Sequence, residues 1–170
     1  WVAEGVYTPR WQSDPLDPRT ATFQLENEVA IYGGFAGGET ELEQRDWATN
    51  VTILSGDLAG NDDPGPIGIE ENSFHVVVAE NANPEVVLDG FTITAGQAIG
   101  GLDHYYGGGL YCDGGSGGSC SPTLTQLTFN GNQAGYGGGM CNDNYSYPTV
   151  TNCTFFRNAA SEEGSAMANY

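Results

Sequence analysis

Two neighbouring stretches of the sequence repeat each other and decide the fold. Residues 122–142 read PTLTQLTFNGNQAGYGGGMCN, and residues 148–169 read PTVTNCTFFRNAASEEGSAMAN. The second stretch follows the first at an offset of 26 residues, which becomes 27 after one residue is inserted before Gly164. Repeats of this length are typical of proteins built from stacked, similar units.

A weaker third copy of the repeat precedes these two. Residues 88–98 match the first part of the repeat, and residues 107–110 match its glycine turn. Between them lies a longer loop, residues 99–106. Each copy supplies two or three short strands.

Apolar and polar residues alternate within each copy, which indicates β-strands. If each copy forms one coil of a solenoid, equivalent apolar side chains lie above one another and bury an inward face. Asn132 and Asn158 follow the strands and suit corners, because asparagine tolerates left-handed backbone. The predicted fold is all-β, a right-handed parallel β-helix with loop insertions. The predicted core ladder consists of Phe91, Ile93, Leu127, Phe129, Cys153 and Phe155.

The first half of the chain shows less repetition. We predict one domain, residues 1–170, with less regular coils at 1–85 and regular coils at 86–170. A short helical turn is expected between Glu39 and Trp47, with Trp47 against the solenoid and Arg45 paired with an acid. Strands are predicted at residues 1–7, 22–35, 51–58 and 74–80, and loops rich in Pro, Asp and Gly at residues 9–18 and 60–68.

The charge of the chain excludes several partners. There are 22 Asp and Glu residues against four Arg and no Lys, a formal net charge of -18. Nucleic acid and anionic membranes need a cationic surface, so neither is an expected partner. No window approaches the ~20 apolar residues of a membrane span, so membrane insertion is not expected either.

Four cysteines lie in the second half and favour disulfides over a zinc knuckle. Cys112 and Cys120 bracket a flexible Gly- and Ser-rich loop that allows them to bond. Cys141 and Cys153 form the second predicted pair. Disulfides persist in oxidising compartments, so the sequence predicts an extracellular or cell-surface protein.

No catalytic residue is predicted. A polysaccharide lyase on this fold needs a cation and an Arg or Lys base, and here the four Arg are scattered and Lys is absent. Asp57 and Asp89 sit beside glycines, where a turn role is expected. His75 lies among apolar residues and is expected to be a satisfied strand position, whereas His104 is expected in a solvated loop.

Other candidate sites are weaker. No cofactor is expected, although Ca²⁺ is conceivable at aspartates that lack the spacing of a known calcium loop. Those aspartates are Asp14, Asp17, Asp62 and Asp63. Asn-x-Ser/Thr sequons, where glycans attach in secreted proteins, begin at Asn50, Asn144 and Asn152.

Two sets of residues carry a family resemblance. The Phe-x-x-Asn units at residues 129–132 and 155–158, alternating with Gly-Gly-Gly turns, resemble the repeats of polymorphic outer membrane proteins. Residues 30–39, 44–47, 51–57 and 87–93 are similar to the leading part of many large bacterial right-handed β-helix surface proteins. The resemblance implies a surface β-helix with a structural or adhesive role, and it brings no catalytic residues. The degraded turn at residues 164–167 departs from the pattern.

Neither end of the chain looks capped, which leaves two explanations. Either the chain is a fragment of a longer β-helix, or identical subunits stack head to tail, a contact that does not close and therefore grows a filament. Roughly six or seven coils are expected, with a spacing of ~4.8 Å from one coil to the next.

The preferred function is an extracellular structural solenoid in a fibre, filament or adhesive appendage. The alternative is carbohydrate binding or polysaccharide processing, with glycans held by Tyr105, Tyr106, Tyr136, Tyr145 and Tyr147.

Overall fold

A computed structural model describes residues 1–62, 68–101, 104–115 and 117–170. Within these residues the chain forms 18 short strands and two short 3₁₀ helices, Pro18–Thr20 and Leu42–Gln44. The first strands are β1 (Gly5–Tyr7), β2 (Trp11–Gln12), β3 (Ala21–Leu25), β4 (Ala30–Tyr32), β5 (Thr52–Ser55) and β6 (Val77–Glu80). They are followed by β7 (Val87–Asp89), β8 (Phe91–Thr94), β9 (Gln97–Ala98), β10 (Leu110–Asp113), β11 (Thr123–Thr125) and β12 (Thr128–Asn130). The last are β13 (Gln133–Tyr136), β14 (Met140–Asp143), β15 (Thr149–Thr151), β16 (Thr154–Phe156), β17 (Ala159–Glu163) and β18 (Met167–Asn169).

The strands form four sheets in which all neighbours run parallel, except β2 beside β3. Sheet 1 has the order β1-β5-β8-β12-β16, and sheet 2 has the order β2-β3-β6-β10-β14-β18. Sheet 3 has the order β4-β7-β11-β15, and sheet 4 has the order β9-β13-β17. From β7 onward, every four consecutive strands visit sheets 3, 1, 4 and 2 in turn, and we call each such set a layer. The all-β class is therefore confirmed, with mostly parallel sheets.

The strand register follows the sequence repeat. Phe129 of β12 lies opposite Phe155 of β16, the predicted offset of 26 residues. Met140 of β14 lies opposite Met167 of β18, the predicted offset of 27. The extra residue is taken up between these pairs, where the register of β13 and β17 shifts. The sequence thus predicted both the pairing and the place of the irregularity.

The third copy also falls in register. Ile93 of β8 lies opposite Phe129, and Leu110 of β10 lies opposite Met140. The first offset is 36 residues and the second is 30, so six extra residues lie between β8 and β10. They belong to the longer loop that the sequence indicated at residues 99–106.

The inward side chains form the core ladder. The rings of Phe129 and Phe155 are stacked with their centroids 4.7 Å apart and their planes 4° from parallel. Four of the predicted ladder residues, Phe91, Ile93, Leu127 and Phe129, are buried. The other two, Cys153 and Phe155, are half-buried in the last layer and pack against the same core.

A buried asparagine joins three layers at the corner after sheet 1. The Nδ2 of Asn132 donates to the carbonyl of Ile93 at 2.9 Å and to Oδ1 of Asn158 at 3.0 Å. The Oδ1 of Asn132 accepts from the amide of Gly96 at 3.0 Å. Asn158 repeats the pattern by donating to the carbonyl of Phe129 at 2.9 Å. The side chain therefore satisfies backbone groups that the corner leaves without strand partners.

The glycine turns combine two separate requirements. Gly137 and Gly164 have φ values of 65° and 70°, which favour glycine. Gly138 instead lies against the next layer, where an added Cβ would collide with the carbonyl of Ala159. The last copy keeps the positive-φ glycine but replaces the crowded glycine with Ser165, which has no further layer of this chain against it.

The first half departs from the sequence predictions at several points. The strand predicted at residues 22–35 is divided into β3 and β4, with Glu28 at a φ of 65° between them. The loop predicted at residues 9–18 contains β2, which runs antiparallel along β3 and covers that edge of sheet 2. The end is therefore partly capped. The sheet that begins with β1 holds five strands, fewer than the six or seven coils expected.

We expect Asn132→Ala to destabilise the fold by about 3 kcal/mol, because it leaves the buried Gly96 amide and Ile93 carbonyl without that partner. Urea denaturation measures the change. The matched control is Asn130→Ala, at a half-buried position of β12, which should change stability by about 0.5 kcal/mol or less. Equal losses in the two variants would contradict the role given to Asn132.

Candidate functional site

A cleft of about 120 Å³ opens on the outer face of sheet 2. It gathers polar and aromatic side chains from four separate parts of the sequence. The side chains that define it here are Trp11, Arg19, His75, Glu80, His104 and Tyr111. These include both histidines of the chain.

His75 is held in one tautomer within the cleft. Its Nδ1 lies 3.1 Å from the carbonyl oxygen of Gly107, which only accepts hydrogen bonds, so Nδ1 carries the proton. Burial lowers the pKa of His75 to about 4, and the ring is therefore neutral at pH 7 with a lone pair on Nε2. The predicted hydrogen-bond partner is present, but His75 lies outside a strand, since β6 begins at Val77.

The side chain of His104 is packed against the protein, whereas the sequence predicted a solvated loop. Its ring stacks on Phe74 with centroids 4.2 Å apart and planes 2° from parallel, and the residue is half-buried. The guanidinium of Arg19 also lies over this phenyl ring, 4.1 Å from its centroid. The expected solvated loop is thus anchored by an aromatic stack. The Nδ1 of His104 lies 3.4 Å from the Nε2 of His75.

The predicted tyrosine cluster divides into two groups. Tyr106 and Tyr136 stack at 5.4 Å, and Tyr105 meets Tyr136 edge-on at 5.8 Å. Tyr145 and Tyr147 form no ring pair with these three in the part of the chain that the structure describes, and are 68% and 70% exposed. The rings of the first group cover one another, so their faces are largely occupied.

One of the two predicted disulfides is present. Cys112 and Cys120 are bonded, with Cα atoms 6.1 Å apart, as their spacing predicted. Cys141 and Cys153 are free, so the second predicted pair is wrong. Cys141 lies on β14 in sheet 2, whereas Cys153 immediately precedes β16 in sheet 1, and the two sheets hold the thiols apart. Burial raises the pKa of Cys141 to about 12, which leaves it a thiol at neutral pH.

The weak calcium candidates act as local hydrogen-bond acceptors. Asp14 accepts from the amide of Leu16 at 2.8 Å, and Asp17 caps the first 3₁₀ helix by accepting from the amide of Arg19 at 3.0 Å. Asp62 accepts from Nδ2 of Asn72 at 2.9 Å, and desolvation raises its pKa. Asp63 lies outside the described residues. Among the residues that are described, no three His, Cys, Asp or Glu side chains converge on a metal position.

The two other aspartates that the sequence singled out have structural roles. Asp57 accepts from the amides of Gly60, Asn61 and Asp62, which closes a loop. Asp89 forms a salt bridge with Arg45 at 2.7 Å, and the side chains are only 11% and 8% exposed. The sequence therefore predicted an acid partner for Arg45 correctly, and the pair fixes the segment around the second 3₁₀ helix against β7.

The three sequons differ in accessibility. Asn144 and Asn152 are exposed, with φ values of 51° and 54° at tight corners. Asn50 is half-buried, and its Nδ2 donates to the carbonyl of Gly34 at 3.3 Å. The Nδ2 of Asn144 also donates a hydrogen bond, to the carboxylate of Asp113 at 2.9 Å, so a glycan at Asn50 or at Asn144 would have to fit beside an existing bond.

The two ends of the layer stack have apolar surfaces. At the first end a cavity of about 680 Å³ lies open between sheets 1, 2 and 3. Its apolar lining includes Val2, Phe23, Leu25, Ile31, Leu54 and Leu88. At the other end Val150, Phe155 and Met167 are half-buried and continue the ladders of the core. Both ends therefore expose the cross-section of one core.

Comparison of the chain with family models, with curated proteins and with solved structures gives no match. Within the described residues, no helix has both the length and the apolar character needed to cross a membrane.

Thiol titration tests the cysteine assignment. We expect the denatured protein to present two reactive thiols without reductant and four after reduction. In the native protein Cys141 should resist alkylation because it is buried, whereas Cys153 should react slowly. A denatured, unreduced chain with no reactive thiol would contradict the assignment.

Loss of the Arg45 pair should be costly. Arg45→Met leaves the carboxylate of Asp89 buried without its cation, and we expect a loss of about 3 kcal/mol in urea denaturation. Arg157→Met removes an exposed arginine whose guanidinium lies 4.8 Å from the ring centroid of Phe156, and it should change stability by about 0.5 kcal/mol or less. Comparable losses for the two variants would show that the ion pair adds nothing.

Proposed function

We propose that the chain is a right-handed parallel β-helix with a structural role outside the cell, and that copies stack head to tail through their end surfaces. The observation that carries the proposal is the regular visiting order of the four sheets, with like residues in register from layer to layer. Closure of each layer around one core explains why the inward side chains are buried. A right-handed path is the rule for connections between parallel strands.

Continuity of the sheets favours a second copy as the partner at the ends. In sheet 1 the edge strands are β1 and β16, and in sheet 3 they are β4 and β15. The outer edge of β4 is partly occupied, because the amide of Val2 donates to the carbonyl of Tyr32 at 2.8 Å. Stacking one copy on the next places β16 beside β1 and β15 beside β4, as further parallel pairs. The half-buried Val150, Phe155 and Met167 then enter the apolar cavity at the first end of the neighbour. Five strands at ~4.8 Å give a repeat of about 24 Å per copy.

Two features limit the contact to part of the end surface. The edge of β3 is already covered by β2, so sheet 2 cannot be continued there without moving β2. Ser165 and Ala166 place side chains where inner layers have glycine. The contact therefore relies on sheet 1, on the part of the β4 edge that Val2 leaves open, and on the apolar cavity between sheets 1 and 3.

Charge should make the assembly dependent on salt. Each copy carries a formal net charge of -18, so stacked copies repel one another at low ionic strength. At 0.15 M salt the screening length is ~8 Å, shorter than the repeat of one copy. Salt therefore weakens the electrostatic repulsion between copies, and burial of the apolar end surfaces can hold the copies together.

An extracellular location is supported by the one disulfide and by the exposed sequons. The bond between Cys112 and Cys120 is a feature of proteins from oxidising compartments. Asn144 and Asn152 lie exposed at corners that a glycan can reach.

Glycan binding remains the second candidate, and a single observation favours it. Tyr145 and Tyr147 are largely exposed and are not covered by the tyrosine cluster, so their rings are free to stack on sugars. A glycan array with the native chain and with Tyr145→Ser/Tyr147→Ser tests this: signal lost in the double variant would support it.

Phe155→Asp should abolish the proposed stacking. Sedimentation velocity and electron microscopy at low and high NaCl would measure it, and we expect filaments of the native chain to grow with salt. Phe155 is half-buried at the end of the core, so a charge there opposes burial in the neighbour. Phe156→Asp is the matched control, because that side chain is 52% exposed on the outward side of the same strand. Uniform monomers of the native chain at high salt and high concentration would overturn the proposal.

A further inference from the structure

The two histidines of the cleft face each other through ring nitrogens. The distance from His75 Nε2 to His104 Nδ1 is 3.4 Å, and the ring centroids are 5.6 Å apart. The distance between the centroids exceeds the distance between the nitrogens by about twice the distance from an imidazole centroid to its nitrogen. Both nitrogens therefore lie close to the line that joins the two centroids. Their lone-pair directions therefore converge on one small region of the cleft.

The surroundings hold His75 in the form that binds a metal ion. Its Nδ1–H donates to the carbonyl of Gly107 at 3.1 Å, which leaves Nε2 unprotonated. A backbone carbonyl on the far nitrogen is the usual second partner of a metal-binding histidine, because it fixes the tautomer and the ring orientation. His104 is held by its stack on Phe74 at 4.2 Å, so neither ring has to be recruited from solvent.

The spacing of the nitrogens fits a small divalent ion. Zinc binds imidazole nitrogen at about 2.0–2.1 Å, and a tetrahedral angle then separates two ligand nitrogens by about 3.4 Å. The observed separation is 3.4 Å. Because the two nitrogens face each other head-on, an ion at that distance from both lies about 1 Å to the side of the line between them. The rings must therefore turn by roughly 30° within the cleft to aim both lone pairs at the ion.

We propose that His75 Nε2 and His104 Nδ1 form a binding site for a divalent transition-metal ion, with zinc as its representative. The ion takes the place of the hydrogen that the two nitrogens otherwise share. His104 then carries its proton on Nε2 in place of Nδ1, so both rings stay neutral and no net proton is released. Water completes the coordination, because no third His, Cys, Asp or Glu among the described residues converges on the site.

The site is open to solvent and to cations. It lies in a cleft of about 120 Å³, and the carboxylate of Glu80 lines the same cleft. The strong negative charge of the chain raises the local concentration of cations. The nearest fixed cation is Arg19, but its Nη2 already donates to the carbonyl and side-chain oxygens of Gln97 at 2.9 Å.

A bound ion would fasten an insertion to the sheet. His104 belongs to the segment that makes the third repeat copy longer, whereas His75 lies two residues before the start of β6 in sheet 2. An ion held by both residues crosslinks that segment to the preceding layer. Binding to the folded chain alone also raises its stability by mass action.

Nitrogen NMR of the full chain labelled with ¹⁵N-histidine tests the proposal. Because the chain has only two histidines, every imidazole signal can be assigned. Titration with Zn²⁺ should shift the signals of His75 Nε2 and His104 Nδ1 together, and should move the His104 proton to Nε2. The same concentration of Ca²⁺, which prefers oxygen ligands, should leave them unchanged. Unchanged imidazoles with Zn²⁺, or a response from one ring alone, would overturn the proposal.

His104→Phe separates metal binding from folding. Phenylalanine keeps an aromatic ring against Phe74 but has no nitrogen, so the fold should persist. Calorimetric titration should show Zn²⁺ affinity lower by about tenfold or more in this variant. Cys153→Ser is the control for binding at the half-buried thiol and should leave the affinity as it is. An affinity that survives His104→Phe and falls in Cys153→Ser would place the ion at sulfur and contradict the histidine site.

Discussion

The structure depends on the stacking of like side chains between parallel strands in register. Phe129 lies opposite Ile93 in one layer and Phe155 in the next, and all three contribute to one apolar core. Strands of two to five residues bury too little apolar area to be stable alone, so each layer relies on its neighbours. Asn132 reinforces the same arrangement at a corner, because its amide joins the layers before and after its own. A shift of register by one residue would expose the ladders and break these bonds.

The amino-acid sequence predicts the stacked half of the chain well, and the reason is physical. Because the two copies align residue by residue apart from one insertion, only one pairing of the strands brings Phe129 opposite Phe155 and Met140 opposite Met167. The sequence even showed the inserted residue. The first half shows no clear repeat, so its strands and loops could be predicted only from the local composition of the sequence. It predicted the helical turn and the partner of Arg45, since both depend on nearby residues, but it missed β2, whose pairing with β3 depends on the path of a loop.

The same distinction explains the results at the candidate sites. Cys112 and Cys120 are joined by a short flexible loop, so spacing alone was a sound guide. The separation of Cys141 from Cys153 depends on which sheet each strand joins, which spacing does not encode. His104 is distant in sequence from His75, and the contact arises because a long loop folds back over Phe74. The sequence held one sign of this contact. The loop at residues 99–106 is longer in the third copy of the repeat than in the other two, and His104 lies in it.

The outer surface and the end surfaces would serve different purposes in this account. We propose that the apolar end surfaces join copies, and that the formal net charge of -18 keeps neighbouring stacks apart. The central claim is that residues 26 and 36 positions apart in sequence meet in successive layers. Nuclear Overhauser effects from the ring protons of Phe129 test it most directly. The account predicts cross-peaks to both Ile93 and Phe155 in the folded protein. A folded chain in which Phe129 shows neither contact would contradict it.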